Sequence, residues 1–216
     1  MRMIILLVFS GMISQCQTPA TGVSSQSKST VTVSEKNYSR AYFAAGCFWC
    51  VEAIFESLLG VEEVISGYAG GSAEDADYRK VASGITDHAE TVEIFYDTSV
   101  ISYQTLLKVF FDSHDPTTLN RQGPDRGRQY RSAVFYKNDT ERQLAEDYIS
   151  SLETLGVFPK GSITTELAPF TAFYPAEDYH QDYERLNPYQ PYIQNVSIPR
   201  LKKFQAKNPD LLKNKD

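Results

Sequence analysis

The chain changes from a strand pattern to a helix pattern at Gly46, and this junction constrains the fold more than any other feature of the sequence. Residues 40–45 form a short apolar run, which predicts a buried strand. After Gly46, apolar residues recur at intervals of three and four until Gly60, which predicts an amphipathic helix. The junction reads Gly46-Cys47-Phe48-Trp49-Cys50 and holds two of the three cysteines and the only tryptophan. Two thiols at this spacing suggest redox or nucleophilic sulfur chemistry.

Beyond this junction, strand and helix patterns interleave along the chain. Residues 90–96 alternate between apolar and polar side chains, which predicts a strand. Further strands are predicted at 61–68, 131–136 and 163–167. Ser102 and Asn138 are predicted to cap two helices. The connection lengths favour a mixed sheet over a long parallel one, so the predicted fold class is α+β, a two-layer mixed sheet with packed helices.

The two ends of the chain differ in composition from its middle. Residues 1–16 combine one positive charge with an apolar run that ends at Cys16, which predicts an export signal. Residues 13–16 resemble a lipobox, so a lipid anchor on Cys16 in the bacterial cell envelope is favoured over ordinary secretion or a retained anchor. Residues 17–37 have the composition of a flexible tether. We expect one catalytic domain over residues 38–198, followed by a polar tail over residues 199–216.

Charge and histidine usage exclude two classes of function. The net charge of −6 argues against a nucleic-acid-binding surface, which needs a basic footprint. The three histidines are dispersed and lack the spacing of metal ligands, so no metal site is predicted.

The two cysteines of the junction lie on one face of the predicted helix. At the helix start, the unsatisfied amides and the positive end of the helix dipole favour a Cys47 thiolate, the reactive form. Cys50 follows one helical turn later, within reach of a disulfide. The alternatives are two inert core thiols or half of a zinc site, for which further ligands are not apparent.

Glu90 has the same strand parity as the apolar residues Val92, Ile94 and Tyr96. A carboxyl group at the mouth of an apolar face is expected to have a raised pKa and to serve as a general acid near neutral pH. The alternative is that Glu90 lies at an exposed strand end and is solvated.

Several ordered motifs resemble the peptide methionine sulfoxide reductase A family over roughly residues 41–191. They are Gly46-Cys47-Phe48-Trp49, Gly67-Tyr68-Ala69-Gly70-Gly71, His88-Ala89-Glu90, Ser113-His114-Asp115-Pro116, Asp125 to Ser132 and Tyr179-His180-Gln181-Asp182-Tyr183. The resemblance implies a ferredoxin-like plait at the core of the fold. It also implies an enzyme, without a cofactor, that reduces the S epimer of methionine sulfoxide in oxidised proteins, with the free amino acid as a further candidate substrate.

The same resemblance implies a role for each residue that matches the family's motifs. Cys47 is the nucleophile, and Phe48 and Trp49 line the pocket for the substrate methyl group. Glu90 protonates the departing oxygen. Tyr78, Tyr130 and Asp125 form the polar wall around that oxygen.

Regeneration of the enzyme is less constrained by the sequence, because no cysteine follows Cys50. We therefore expect Cys50 to resolve a Cys47 sulfenic acid as a disulfide, which a thioredoxin-like partner reduces. The alternative is direct reduction of the sulfenic acid by an external thiol. Two competing functions also stay open: an envelope disulfide oxidoreductase that uses Cys47 and Cys50, and a non-catalytic anchored binding module. We expect a monomer.

Overall fold

The computed structural model describes residues 38–214, in which a central sheet is covered by helices. The predicted signal, the Cys16 lipobox and the whole predicted tether lie outside the described residues. The strands are β1 (Ser39–Ala45), β2 (Val61–Ala69), β3 (Ala89–Tyr96), β4 (Arg121–Gln122), β5 (Asp125–Arg126), β6 (Ser132–Tyr136), β7 (Glu166–Pro169) and β8 (Phe173–Pro175). The helices are α1 (Phe48–Glu56), α2 (Tyr78–Ala82), α3 (Tyr103–Ser113), α4 (Asp139–Thr154), α5 (Tyr183–Leu186) and α6 (Ile198–Lys207).

Six strands form one mixed sheet in the order β7-β6-β1-β3-β2-β8, and β4 pairs with β5 in a separate hairpin. All neighbours in the large sheet are antiparallel except β6 and β7, which are parallel. The sequence β1-α1-β2-β3-α3-β6, with sheet order β6-β1-β3-β2, is the βαββαβ plait. The predicted α+β class, mixed sheet and plait core are therefore confirmed.

Local sequence signals account for most of these elements. The Ser102 and Asn138 side chains accept backbone N–H bonds at the starts of α3 and α4, as predicted. β1 lies between two other strands and is buried along residues 41–45, which is why its sequence is continuously apolar. On one side of β1 lies the main core with Phe43. On the other, Tyr42 stacks on Phe170 at a ring-centroid distance of 3.8 Å.

Two parts of the sheet differ from the prediction. The strand predicted at 163–167 lies at Glu166–Pro169 instead. The backbone N–H of Thr164 donates to the carbonyl of Pro116, and the Thr165 hydroxyl group bonds the Ser132 hydroxyl group, so these residues do not join the sheet. The edge strand β8 and the β4–β5 hairpin are not predicted, since each is only two or three residues long.

The C-terminal stretch also differs from the predicted polar tail. Residues beyond 198 continue as α6, whose Phe204 is buried against the main core while Lys202 and Lys203 stay exposed. The difference arises because helical spacing places the lysines and the few apolar residues on different faces of α6. The apolar face can therefore be buried while the lysines stay exposed. Within residues 38–214, no helix has the length and apolar character needed to cross a membrane.

Candidate active site

The junction between β1 and α1 places Cys47 at the N-cap of α1. Gly46 has φ +87°, a conformation that favours glycine, and it turns the chain from the strand into the helix. The carbonyl of Cys47 accepts hydrogen bonds from the backbone N–H groups of Cys50 and Val51 at 3.2 and 3.3 Å. Cys47 is 6% exposed, and both it and Cys50 are free thiols.

A cavity of about 190 Å³ opens beside the Cys47 thiol. It is lined by Cys47, Phe48, Trp49, Tyr78, Glu90, Asp125, Tyr130, Gln190 and Tyr192. The structure thus brings together, from four separate parts of the chain, all seven residues predicted to be catalytic or to line the substrate pocket. Cys50 does not line the cavity, whereas Gln190 and Tyr192 line it although the sequence did not predict them.

Glu90 is a buried part of the cavity wall, where it accepts a hydrogen bond from the backbone N–H of Phe48 at 3.0 Å. Only 2% of the residue is exposed, so the solvated alternative does not apply. Burial raises the pKa of Glu90 to about 8, and the nearby Asp125 and Cys50 charges add to the rise. The group therefore holds a proton at neutral pH and can deliver it to an oxygen in the cavity.

The phenols of Tyr78 and Tyr130 line the cavity and stay protonated, since burial raises the pKa of each above its ordinary value. The backbone N–H of Tyr78 is bound to the Glu177 carboxylate at 3.1 Å. Gln129 bonds the carbonyl of Ala82 at 3.1 Å and so ties the Tyr130 turn to α2. These bonds hold the Tyr78 and Tyr130 hydroxyl groups beside the protonated Glu90 carboxyl group.

The apolar wall of the cavity is rigid. Trp49 stacks on Tyr183 with ring centroids 3.7 Å apart and planes inclined by 8°. The Trp49 indole N–H donates to Nδ1 of His180 at 3.2 Å, and the ring centroids of His180 and Phe48 are 5.0 Å apart. Burial lowers the pKa of His180, which keeps its Nδ1 available as an acceptor. Trp49 is thus fixed in one orientation.

A second polar chain joins the cavity to Cys50. The Tyr192 hydroxyl donates to the Asp125 carboxylate at 2.6 Å, and its oxygen lies 3.8 Å from the Cys50 sulfur. Burial raises the pKa of Asp125, although the Tyr192 bond opposes the rise.

The two thiols influence each other's acidity, and the Cys47 thiolate expected at the helix start stays a prediction. Burial, the neighbouring Cys50 and the charge of Glu90 raise the pKa of Cys47. Interaction with the Cys47 thiol lowers the pKa of Cys50 to about 6, while burial opposes the change and the positive charge of Arg200 adds to it. The pair therefore shares one proton near neutral pH.

Sequence reasoning missed several residues that hold the site. His180 and Tyr183 lie within a motif quoted for the resemblance, but that motif gave no role for them. Gln190 and Tyr192 had no signal, because they follow an irregular stretch without periodicity. Among residues 38–214, no three His, Cys, Asp or Glu side chains are grouped as metal ligands would be.

Comparison with known proteins gives a consistent result. A sequence model of the family described as Peptide methionine sulfoxide reductase matches residues 39–211. The chain is 48% identical to peptide methionine sulfoxide reductase MsrA 2 of a Synechocystis species over 184 residues, which are 85% of this chain and 86% of the relative. It is 53% identical to MsrA of Natronomonas pharaonis over 161 residues, covering 74% and 90% of the two chains.

Two solved structures share the fold. The crystal structure of reduced Mxr1 from Saccharomyces cerevisiae has a TM-score of 0.66 and 34% identity, and the match covers 74% of this chain and 92% of that one. Methionine sulfoxide reductase A of Corynebacterium diphtheriae has a TM-score of 0.63 and 34% identity, with 73% and 80% covered.

Proposed function

Because this chain belongs to the peptide methionine sulfoxide reductase family, we propose that it uses Cys47 to reduce methionine sulfoxide in oxidised proteins. The observation that carries the proposal is the cavity beside the Cys47 sulfur. Its lining combines the Phe48 and Trp49 rings with a protonated carboxyl group and two phenols. A methionine sulfoxide presents the same two kinds of group, because its sulfur atom carries an apolar methyl group and a polar S–O bond.

In the first step the sulfoxide oxygen faces Tyr78, Tyr130 and Glu90. Negative charge grows on this oxygen as the Cys47 sulfur attacks the substrate sulfur, so donors aimed at it lower the barrier. Glu90 supplies the proton as general acid. The net reaction is methionine sulfoxide plus the Cys47 thiol giving methionine plus Cys47 sulfenic acid, and the oxygen atom passes from one sulfur to the other.

The attacking group is a Cys47 thiolate formed within the cysteine pair. Cys47 passes its proton to Cys50, which lies one helical turn away and shares one proton with it. The exchange leaves the total charge of the pair unchanged.

The substrate is proposed to be the S epimer. The cavity fixes the methyl group against Phe48 and Trp49 and the oxygen against the polar wall, while the peptide chain has to leave through the opening. When the methyl group, the oxygen and the peptide chain each have a fixed direction, only one configuration of the sulfur atom fits the cavity. This agrees with the use of one enzyme for each sulfoxide epimer. Free methionine sulfoxide is a second candidate substrate of the same cavity.

The test of this function is conversion of each epimer of a methionine sulfoxide peptide with dithiothreitol as reductant, followed by chromatography. We expect the S epimer alone to be converted, and Cys47→Ser to lower the rate by at least about a thousandfold, since the nucleophile is lost. Reduction of insulin disulfides without sulfoxide turnover would instead indicate a disulfide oxidoreductase. Neither activity would indicate a binding module, and both outcomes contradict the proposal.

Regeneration is proposed to run through Cys50. The first step leaves Glu90 as a carboxylate and Cys50 as a thiol, so Cys50 passes its proton to Glu90. The Cys50 thiolate then attacks the Cys47 sulfenic sulfur, an S–S bond forms, the S–O bond breaks, and the hydroxide leaves as water with that proton from Glu90. A thioredoxin-like dithiol then reduces the disulfide and becomes oxidised itself. Cys50 is the only partner thiol on the described part of the chain, and it lies one helical turn from Cys47.

Cys50→Ser separates this route from direct reduction by an external thiol. We expect thioredoxin-supported turnover to fall by at least about tenfold, because the disulfide can no longer form, while dithiothreitol still reduces the sulfenic acid directly. Steady-state rates with each reductant give the comparison. Unchanged turnover with thioredoxin would show that Cys50 is not the resolving thiol.

The protein is further proposed to be an exported monomer with a lipid anchor on Cys16. The apolar run and lipobox-like residues of segment 1–16 support this location. Exported compartments favour disulfides, so a reducing relay has to deliver electrons to Cys47 and Cys50 there. Mass spectrometry of the protein from its native membrane should show an acylated N-terminal Cys16, and an unmodified N-terminus would contradict the anchor.

A further inference from the structure

Glu177 is a carboxylate that the proposed reaction does not use, although it contacts residues on both walls of the cavity. It precedes the turn Asp178–His180, and 35% of its side chain is exposed. Its Oε2 accepts a hydrogen bond from the Tyr68 hydroxyl group at 2.9 Å, and its Oε1 accepts one from the backbone N–H of Tyr78 at 3.1 Å. The carboxylate thus joins a buried residue of β2 to the first residue of α2.

The segment that carries Glu177 is fastened to the sheet on both sides of this residue. The backbone N–H of Ala176 donates to the carbonyl of Ser66 in β2 at 2.9 Å. The Gln181 side chain accepts from the Ser66 N–H at 2.9 Å and donates to the Ser66 carbonyl at 3.0 Å. It also donates to the carbonyl of Ala176 at 3.1 Å, which closes the loop around Glu177. The backbone of Glu177 is therefore fixed relative to β2.

His180 links Glu177 to the apolar wall of the cavity. An indole N–H can only donate, so the Trp49 bond at 3.2 Å assigns Nδ1 of His180 as an acceptor without a hydrogen. The neutral imidazole then carries its hydrogen on Nε2. This Nε2 is buried, has no hydrogen-bond partner among residues 38–214, and lies 3.8 Å from Oε2 of Glu177. The distance is longer than a hydrogen bond, but a negative charge there favours the tautomer that Trp49 requires.

We infer that Glu177 is a positioning residue that fixes both walls of the cavity: it holds Tyr78 on the polar wall directly and Trp49 on the apolar wall through His180. The His180 ring also packs against the Tyr78 ring, with centroids 4.3 Å apart. Glu177 itself does not line the cavity. The inference rests on the proposed function, because it explains how the donor for the sulfoxide oxygen and the ring against the methyl group keep their separation.

The chemistry of an ionised carboxylate suits this role. Burial opposes ionisation of Glu177, but the hydrogen bonds from the Tyr78 backbone and the Tyr68 hydroxyl group lower its pKa below the ordinary value. An ionised carboxylate has only acceptor positions on its two oxygens. It can therefore receive the hydrogens of Tyr68 and Tyr78 while it faces the N–H group of His180. An uncharged side chain lacks the negative charge that favours this tautomer.

The first test measures how firmly Trp49, the only tryptophan of the chain, is held, and it needs no turnover. The measurement is acrylamide quenching of the Trp49 fluorescence in the reduced, substrate-free protein. We expect Glu177→Ala to raise the quenching constant at least about twofold, because a site residue loosens when its supporting contacts are removed. Asp178→Ala, an exposed carboxylate on the same turn, is the matched control and should leave the constant unchanged. An unchanged constant in Glu177→Ala would contradict the inference.

The second test compares peptides that carry the S epimer of methionine sulfoxide or of ethionine sulfoxide, by the single-turnover rate of sulfide release. A pocket shaped for a methyl group rejects one extra methylene by about tenfold or more. We expect Glu177→Ala to slow methionine release about tenfold or more, since small displacements of positioned groups are costly. The preference for methyl over ethyl should fall at least about threefold. Asp178→Ala should keep both the rate and the preference.

A merely structural role for Glu177 predicts a different pattern. Glu177→Ala would then unfold at a lower temperature, while the folded protein kept the original quenching constant and methyl preference, and this result would overturn the inference. If Glu177→Ala does not fold, Glu177→Gln keeps the size of the side chain, removes its charge and should shift both quantities in the same directions. Failure of the proposed function is distinguishable, because the unmodified protein would then convert neither sulfoxide, whereas the quenching comparison still applies.

Discussion

The hydrogen bond from the Phe48 backbone N–H to the Glu90 carboxyl group is the interaction on which the site depends. At 3.0 Å it ties the first turn of α1 to the buried end of β3. The bond satisfies one of the N-terminal amides of α1, which would otherwise lie buried without a partner. It also fixes Glu90 within reach of the Cys47 cavity. One contact thus secures the helix start that carries the nucleophile and the acid that serves it.

The contact between Phe48 and Glu90 is buried away from water, and this burial determines the protonation states of the groups around it. Burial raises the pKa of Glu90 to about 8 and that of the cavity phenols above their ordinary values, so the polar wall consists of protonated donors. Burial opposes charge on both thiols as well. The cysteine pair meets this constraint by sharing one proton. The plait supplies the acid, and the segment beyond it supplies Tyr192, whose hydroxyl group contacts both the Asp125 carboxylate and the Cys50 sulfur.

Local patterns predict the parts of this arrangement that depend on near neighbours. Strand parity places Glu90 on the apolar face, and the change of period at Gly46 places Cys47 at a helix start. Long-range packing decides the rest. Tyr192 reaches Asp125 from 67 residues away, through a turn that has no periodic signal. The Trp49 indole is held by His180, 131 residues beyond it, and α6 buries one face through few apolar residues. The motif resemblance supplied the roles of the tyrosines, which periodicity does not distinguish from core residues.

The central claim is that Glu90 carries the proton given to the sulfoxide oxygen, and the pH dependence of methionine release in a single turnover tests it most directly. The acid form exists below the Glu90 pKa, so the rate should be lost as pH rises through about 8, tenfold for each further unit. Glu90→Gln should lower the plateau by about a hundredfold or more and abolish this descending limb. Glu93→Gln, on the opposite face of β3, should keep both the plateau rate and the descending limb. A descending limb that persists unchanged in Glu90→Gln would contradict the account.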